Sequence, residues 1–276
     1  KIIRKNPNYF KKKISERNTE IDINELLDLD KKNRELIHEK EKFEQEKKTI
    51  SQKKDKSQFS KSKELTSKIE EISKEKIKIK EKINLILSSL PNIALDEVPI
   101  GKGEKENKEI KKIGEIPKFS FKILSHNELG SKHDMMDFEI SNKTSGARFV
   151  VLKNDLALLE RAISNFMLDI HTKEFGYTEV SPPLIVNDDT MFGTGQLPKF
   201  ESDQFEIKLE EQKSRKFLIP TAEVILTNLV RESFLNIKNL PLRMVASTAC
   251  FRKEAGSHGK DTKGMIRQHQ FYKVEL

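Results

Sequence analysis

The sequence predicts an α+β protein in two parts: a long antiparallel helical hairpin, then an antiparallel sheet with flanking helices. Three observations predict it. Residues 22–90 hold neither glycine nor proline, are dominated by charge and repeat their apolar residues in heptads. A connector rich in proline, glycine and charge comes next. From about residue 118 strand and helix patterns mix without the regular alternation of a parallel α/β fold.

The hairpin is read from two seams. Leu65, Ile69, Ile72, Ile79, Ile83, Ile86 and Leu90 fall at alternating steps of four and three, with Lys76 in the one remaining place. Upstream, Leu29, Leu36, Phe43 and Ile50 repeat every seven residues, but their companions decay from Leu26 to Asn33, Lys40 and Lys47. The polar stretch "KKDKSQFSKSK" separates the seams, so the tip is expected near residues 54–62. Each arm of roughly 30 residues reaches about 45 Å. The seams bury each other and little else, so this coiled coil projects from a body. Pro91 ends the second arm because it lacks the helical N–H. The expected division is an arm over 1–90, a linker over 91–117 punctuated by Pro99 and Pro117, and a body over 118–276.

Composition agrees with an extended element. Over 276 residues, 35% are hydrophobic and 35% charged, too polar for one compact globule of this length. The net charge of +8 permits an anionic partner without proving one. Cys250 is the one cysteine, which excludes an internal disulfide framework and a cysteine-based zinc site. The six histidines show no metal-ligand spacing. No apolar run approaches the ~20 residues of a membrane span, and "KIIRKNPNYFKKK" has no apolar core for a secretory signal. A cytoplasmic protein with no membrane partner is expected.

In the body, "ALLERAISNFMLDIHTKEF" is an amphipathic helix from Leu156 to about Phe175, ended by Gly176. "YTEVSPPLIV" is a strand interrupted or bounded by Pro182 and Pro183. "FLIP" and "LRMVASTACFR" read as further strands, with "AEVILTNLVRESF" a helix between them.

The stretch "FRKEAGSHGKDTKGMIRQHQFYKVEL" carries the chemistry. Side chains alternate across a strand. With strands over 242–254 and 266–276, Arg252 and Glu254 share one face, and Arg267, His269, Phe271, Lys273 and Glu275 share another. If the faces coincide, one surface holds two arginines, two carboxylates and an aromatic ring. An arginine fork binds phosphate, a phenyl ring stacks on a base, and carboxylates accept from amines. Alternation alone leaves a second reading open, a solvated charged hairpin with cross-strand ion pairs.

This stretch closely resembles motif 2 of the class II aminoacyl-tRNA synthetases, in the form found in bacterial-type seryl-tRNA synthetases. "GTGQLPKF" and "IPTAEV" are similar to that family's characteristic segment and serine-recognition loop, and "FGYTEVSPPLIV" resembles motif 1. "IRKNPNYFKKKISERN" before a long helical hairpin is similar to its tRNA-binding arm. The resemblance runs over nearly the whole chain, in the family's order.

The resemblance implies a reaction and a role for each matching residue. ATP and L-serine form seryl-adenylate, with Mg²⁺ on the triphosphate, and the seryl group passes to tRNA(Ser), and to tRNA(Sec) as an additional substrate. By the same resemblance Arg252 contacts the α-phosphate and the serine carboxylate, and Arg267 lies along the triphosphate. Glu254 faces the adenine amino group, Phe271 stacks on adenine, and Lys253 joins the ATP-binding set. Thr221, Ala222, Glu223 and Glu275 hold serine. The arm binds tRNA and motif 1 forms a homodimer.

Local alternatives stand beside these roles. Thr221 serves equally as a helix N-cap with Glu223 in the first turn. The glycines of "GTGQLP" suit plain turns, and lysines at the hairpin tip suit a solvated face. The family's motif 3 lies downstream of motif 2, so the chain is expected to be a fragment that is inactive alone. The alternative function is a non-catalytic synthetase-like RNA-binding or regulatory protein. A coiled-coil structural protein accounts for residues 22–90 only.

Overall fold

The computed structural model describes residues 2–53, 58–208, 214–254 and 264–276. The chain divides into two compact units, residues 1–115 and 116–276.

The first unit opens with two short helices, α1 (Ile2–Lys5) and α2 (Pro7–Ser15). Asn6 caps α2, its side chain accepting from the Tyr9 N–H at 3.3 Å, and Pro7 occupies the first turn, where a missing N–H costs nothing. Next come two 31-residue helices, α3 (Ile23–Lys53) and α4 (Phe59–Ser89). The Asp22 carboxylate accepts from the N–H groups of Asn24 and Glu25 at 2.9 and 3.1 Å, which starts α3. Leu36, Ile72 and Ile79 are buried together, with Leu29, Phe43 and Ile83 packed around them. These are heptad positions of both seams. Lys32 pairs with Glu75 at 2.5 Å, and fourteen residues further along α3 Glu46 pairs with Lys61, fourteen residues earlier on α4, at 2.7 Å. The arms are therefore antiparallel. Of the expected tip, residues 54–57 lie outside the described residues.

α4 stops at Ser89, before Pro91, as expected. The chain beyond it is stitched back to the end of α2. Lys13 pairs with Asp96 and with Glu16, the Arg17 guanidinium donates to the Asn92 carbonyl at 3.2 Å, and Asn18 donates to the Gly101 carbonyl at 2.7 Å. The Asp96 carboxylate beside that lysine is held below its ordinary range.

The second unit begins with α5 (His126–Lys132), β1 (Met136–Asp137), α6 (Phe138–Thr144) and β2 (Val151–Leu152). The long helix α7 (Asn154–Lys173) leads to β3 (Thr178–Glu179). Then come β4 (Ile185–Asn187), α8 (Asp188–Gly193), β5 (Glu206–Ile207) and β6 (Lys216–Leu218). The last elements are α9 (Glu223–Asn228), β7 (Met244–Phe251) and β8 (Gln270–Glu275).

Among the described residues these strands form three sheets: β1–β2, β4–β6–β5 and β3–β7–β8. The core between β4, α8, β6 and α9 is Val186, Met191, Leu197, Phe217, Ile219, Val224 and Ile225. A second cluster, Ala222, Leu226 and Ala246, ties α9 to β7. α7 is stapled to β7 by Ser164 and Ser247, whose hydroxyls meet at 2.7 Å.

Three features depart from the sequence reading. β3 pairs with β7 in parallel, with Thr178 opposite Met244, whereas the sequence pattern predicts an antiparallel sheet. The intervening 64 residues, 180–243, supply the long crossover that a parallel pair requires. α9 is six residues long where "AEVILTNLVRESF" predicts more. The Asn228 side chain folds back to donate to the carbonyls of Val224 at 2.7 Å and Thr190 at 3.1 Å, and the chain then turns through Glu232, whose φ is 57°. Finally, β7 and β8 are shorter than the predicted 242–254 and 266–276. Arg252 still bonds across to His269, while Lys253 and Glu254 leave the ladder for other partners.

Candidate active site

The β7–β8 register decides whether the two charged faces coincide. Cys250 lies opposite Phe271, Thr248 opposite Lys273 and Ala246 opposite Glu275. One step beyond the ladder, the Arg252 N–H donates to the His269 carbonyl at 3.0 Å, so this alternation carries on to Arg252. Arg252, Phe271, Lys273 and Glu275 therefore share one face. The Arg252 guanidinium lies 5.2 Å from the Phe271 ring centroid, within cation–π range. Its Nε donates to the Pro220 carbonyl at 3.3 Å, which anchors it to the loop leading into α9.

Beside this face is a cavity of about 270 Å³ lined by Gln196, Phe200, Asp203, Gln204, Pro220, Arg252, Glu254 and Arg267. Arg267 reaches across to Glu254, Nη1 to Oε2 at 3.3 Å. Glu254 has φ of 50°, the left-handed region that costs a side-chain-bearing residue on the order of 1–2 kcal/mol. The neighbouring Lys253 is exposed, its N–H donating to the Asp203 carbonyl at 2.8 Å and its ammonium 5.8 Å from the Phe205 centroid.

A second polar group stands further along the same face. Thr221 is buried, and its hydroxyl bonds to the Glu275 carboxylate. Lys273 donates to the same hydroxyl at 3.1 Å and pairs with Glu275. The Glu223 N–H meets the Thr221 hydroxyl at 3.4 Å, so Thr221 also supports the start of α9, while the Glu223 side chain is exposed in its first turn. Ala222 is fully buried beside them. A hydroxyl, a carboxylate and an ammonium converge here, a set suited to a small zwitterion carrying its own hydroxyl. On the same face, opposite Phe271, burial pushes the Cys250 thiol up.

The "GTGQLP" segment forms a turn and part of the cavity wall. Gly195 has φ of 76°, a conformation glycine adopts without strain. A side chain at Gly193 would meet the Asn228 amide oxygen at 2.6 Å.

The fold brings several residues here to which sequence reasoning gives no role. Alternation puts Lys273 on the right face, between Phe271 and Glu275, and that same alternation is the signal that could have marked it. Gln196, Asp203 and Gln204 join the cavity through tertiary folding and carry no local signal. Among the described residues no group of three or more His, Cys, Asp or Glu gathers to hold a metal ion. Mg²⁺ ligands are not assigned to these residues.

Comparison with known proteins agrees with this architecture. Residues 1–94 match the seryl-tRNA synthetase N-terminal domain, and residues 204–276 match the tRNA synthetase class II core domain (G, H, P, S and T). The serine–tRNA ligase of Pelagibacter ubique is 58% identical over 276 residues, covering 100% of this chain and 66% of that protein. The serine–tRNA ligase of Methylocella silvestris is 59% identical over 206 residues, covering 69% of this chain and 45% of that protein. The crystal structure of seryl-tRNA synthetase from Pyrococcus horikoshii complexed with ATP superposes with a TM-score of 0.80 at 33% identity, covering 99% of this chain and 67% of that one. The cytoplasmic serine–tRNA ligase from Naegleria fowleri in complex with AMP gives 0.79 at 25% identity, covering 98% and 62%. The chain thus spans 66% and 45% of the length of the two curated relatives.

The fold is that of a class II synthetase core with a helical arm before it in the chain. The chain belongs to the seryl-tRNA synthetase family.

Proposed function

We propose that this protein activates L-serine with ATP to seryl-adenylate and transfers the seryl group to tRNA(Ser), with tRNA(Sec) as a further acceptor. The observation that carries the reading is the coincidence of two groups on one sheet face: Arg252 over Phe271, and Thr221 bonded to Glu275 beside Lys273. The first suits a nucleotide with its α-phosphate, the second the hydroxyl and ammonium of serine.

In this reading the serine carboxylate attacks the α-phosphorus and pyrophosphate leaves. Arg252 spans the α-phosphate and the carboxylate, and Arg267 leaves Glu254 to lie along the triphosphate. Phe271 stacks on adenine, worth about 1–3 kcal/mol. Glu254 accepts from the adenine amino group, with Lys253 at the rim. Thr221, Ala222, Glu223 and Glu275 hold serine. Catalysis comes from positioning and charge neutralisation, with no side chain as nucleophile. Mg²⁺ supplies charge neutralisation on the triphosphate when bound.

Residues 1–90 serve as the tRNA arm, 91–117 as linker and 118–276 as the front of the catalytic domain. A homodimer through motif 1 is supported by the helix just before that segment, α7, which has no fully buried residue and exposes Leu158, Leu159, Ile163 and Phe166. A cytoplasmic location suits this role. Among the described residues no helix is long and apolar enough to cross a membrane.

The test is charging of tRNA(Ser) with labelled serine by the full-length protein. Stable seryl-tRNA supports the proposal; binding of tRNA without charging favours a non-catalytic RNA-binding protein.

A further inference from the structure

Arg148 lies outside every segment that the family resemblance marks, in the turn between α6 and β2, yet it reaches the site. Its Nη1 donates to the carbonyls of Glu254 at 2.6 Å and Lys253 at 3.3 Å. Its own carbonyl accepts from the His269 N–H at 2.9 Å. His269 is bonded to Arg252 twice, through its carbonyl and through Nδ1, each at 3.0 Å. Its ring packs between Phe149 and Phe205, with centroids at 5.4 and 5.6 Å.

These contacts matter because Lys253 and Glu254 lie beyond Arg252, the last residue of this strand whose backbone bonds across to its neighbour. Side chains and loops hold the backbone there instead. His269 takes both polar groups of Arg252, the Asp203 carbonyl takes the Lys253 N–H, and Arg148 takes the next two carbonyls. A left-handed backbone at a residue such as Glu254 persists only where its surroundings hold it.

We propose that Arg148 is a positioning residue. Its guanidinium, bridging two consecutive carbonyls, fixes the turn at Glu254 and thereby sets where the Glu254 carboxylate points in the cavity. Both bonds come from one terminal nitrogen, Nη1, held in the guanidinium plane; a lysine ammonium also has several N–H donors but no planar group to aim them. The inference rests on reading that cavity as the ATP site.

The test is ATP binding by calorimetry, without serine, on the full-length protein and its Arg148→Met, Arg148→Lys, Glu254→Ala and Arg148→Met/Glu254→Ala variants. Arg148→Met is expected to weaken ATP about tenfold, Arg148→Lys less, and the double variant to bind no worse than Glu254→Ala alone. Pyrophosphate exchange with ATP against inosine triphosphate, which lacks the 6-amino group, adds a readout that loss of stability does not move. The preference for ATP should fall about tenfold in Arg148→Met, and in Arg148→Lys by less; the latter serves if the former does not fold. Unchanged ATP affinity and preference overturns the proposal. So does a loss from Arg148→Met that is equally large with Glu254 in place and in the Glu254→Ala background. Binding of ATP without serine-dependent exchange sinks the functional reading and leaves the role of Arg148 standing; no ATP binding by the unsubstituted protein overturns both.

Discussion

The Arg252 guanidinium sits 5.2 Å from the centroid of the Phe271 ring, the two side chains reaching this contact from neighbouring strands whose register sets Cys250 opposite Phe271. The contact puts a phosphate-binding group and a stacking surface side by side, the pair that the proposed nucleotide site needs. Replacing Phe271 by Ala removes the stacking surface, worth about 1–3 kcal/mol. The KM for ATP is expected to rise roughly tenfold or more, at about 1.4 kcal/mol per decade, with the KM for serine little changed. Steady-state exchange kinetics check it, and an equal rise in both constants would count against the nucleotide assignment.

Thr221 should act on the other substrate. Its hydroxyl is bonded to Glu275 and Lys273. Thr221→Val keeps the shape and removes the hydroxyl, so Glu275 and Lys273 lose that bond and keep only each other. The KM for serine should rise by roughly tenfold or more while that for ATP stays within about twofold. An unchanged serine KM would reduce Thr221 to a support for the first turn of α9.

The arm is expected to be separable from the chemistry. Deleting residues 40–75 should spare adenylate formation and abolish charging of tRNA, and equal loss of both would refute that division. Ile72, buried against Leu36, is the place to weaken the arm without shortening it. Ile72→Ala should cost about 2 kcal/mol, the low end for such a truncation because the seam is narrow. Helix melting by circular dichroism reads this. If lysines of the arm meet phosphate, tRNA affinity should also fall steeply with salt.

Asp137 offers a pH test within the second unit. Its carboxylate accepts from the Ile140 N–H at 3.0 Å at the start of α6, and Lys153 lies 3.2 Å away. The N–H bond first, and the lysine after it, hold the folded carboxyl below its ordinary value. A depressed folded pKa means that stability is present above the unfolded pKa and is lost as pH falls through the folded one. Asp137→Asn should flatten the decline in Tm below about pH 4 that the unsubstituted protein shows; identical profiles would contradict the cap.

Much of this molecule is legible in its sequence because burial repeats with a period. Leu36, Ile72 and Ile79 announce the seam by spacing, and Pro91 its end. Alternation from Phe271 to Glu275 gives the face of β8 that carries Phe271, Lys273 and Glu275. What is not legible depends on partners distant in the chain. Nothing near Lys253 says that its N–H leaves the sheet for Asp203, or that Glu254 turns left-handed under Arg148. The early end of α9 depends on Asn228 reaching the Thr190 carbonyl, and the parallel pairing of Thr178 with Met244 on how the long crossover returns. The site residues themselves stand out by type and order, but their union on one face needs the register that only the fold supplies.

The most direct measurement is amino-acid-dependent exchange between pyrophosphate and ATP by the full-length protein, run with each of the twenty amino acids in turn. The account predicts exchange with serine alone, diminished by substitution of Arg252, Thr221 or Glu275. Exchange supported by another amino acid and not by serine would contradict it.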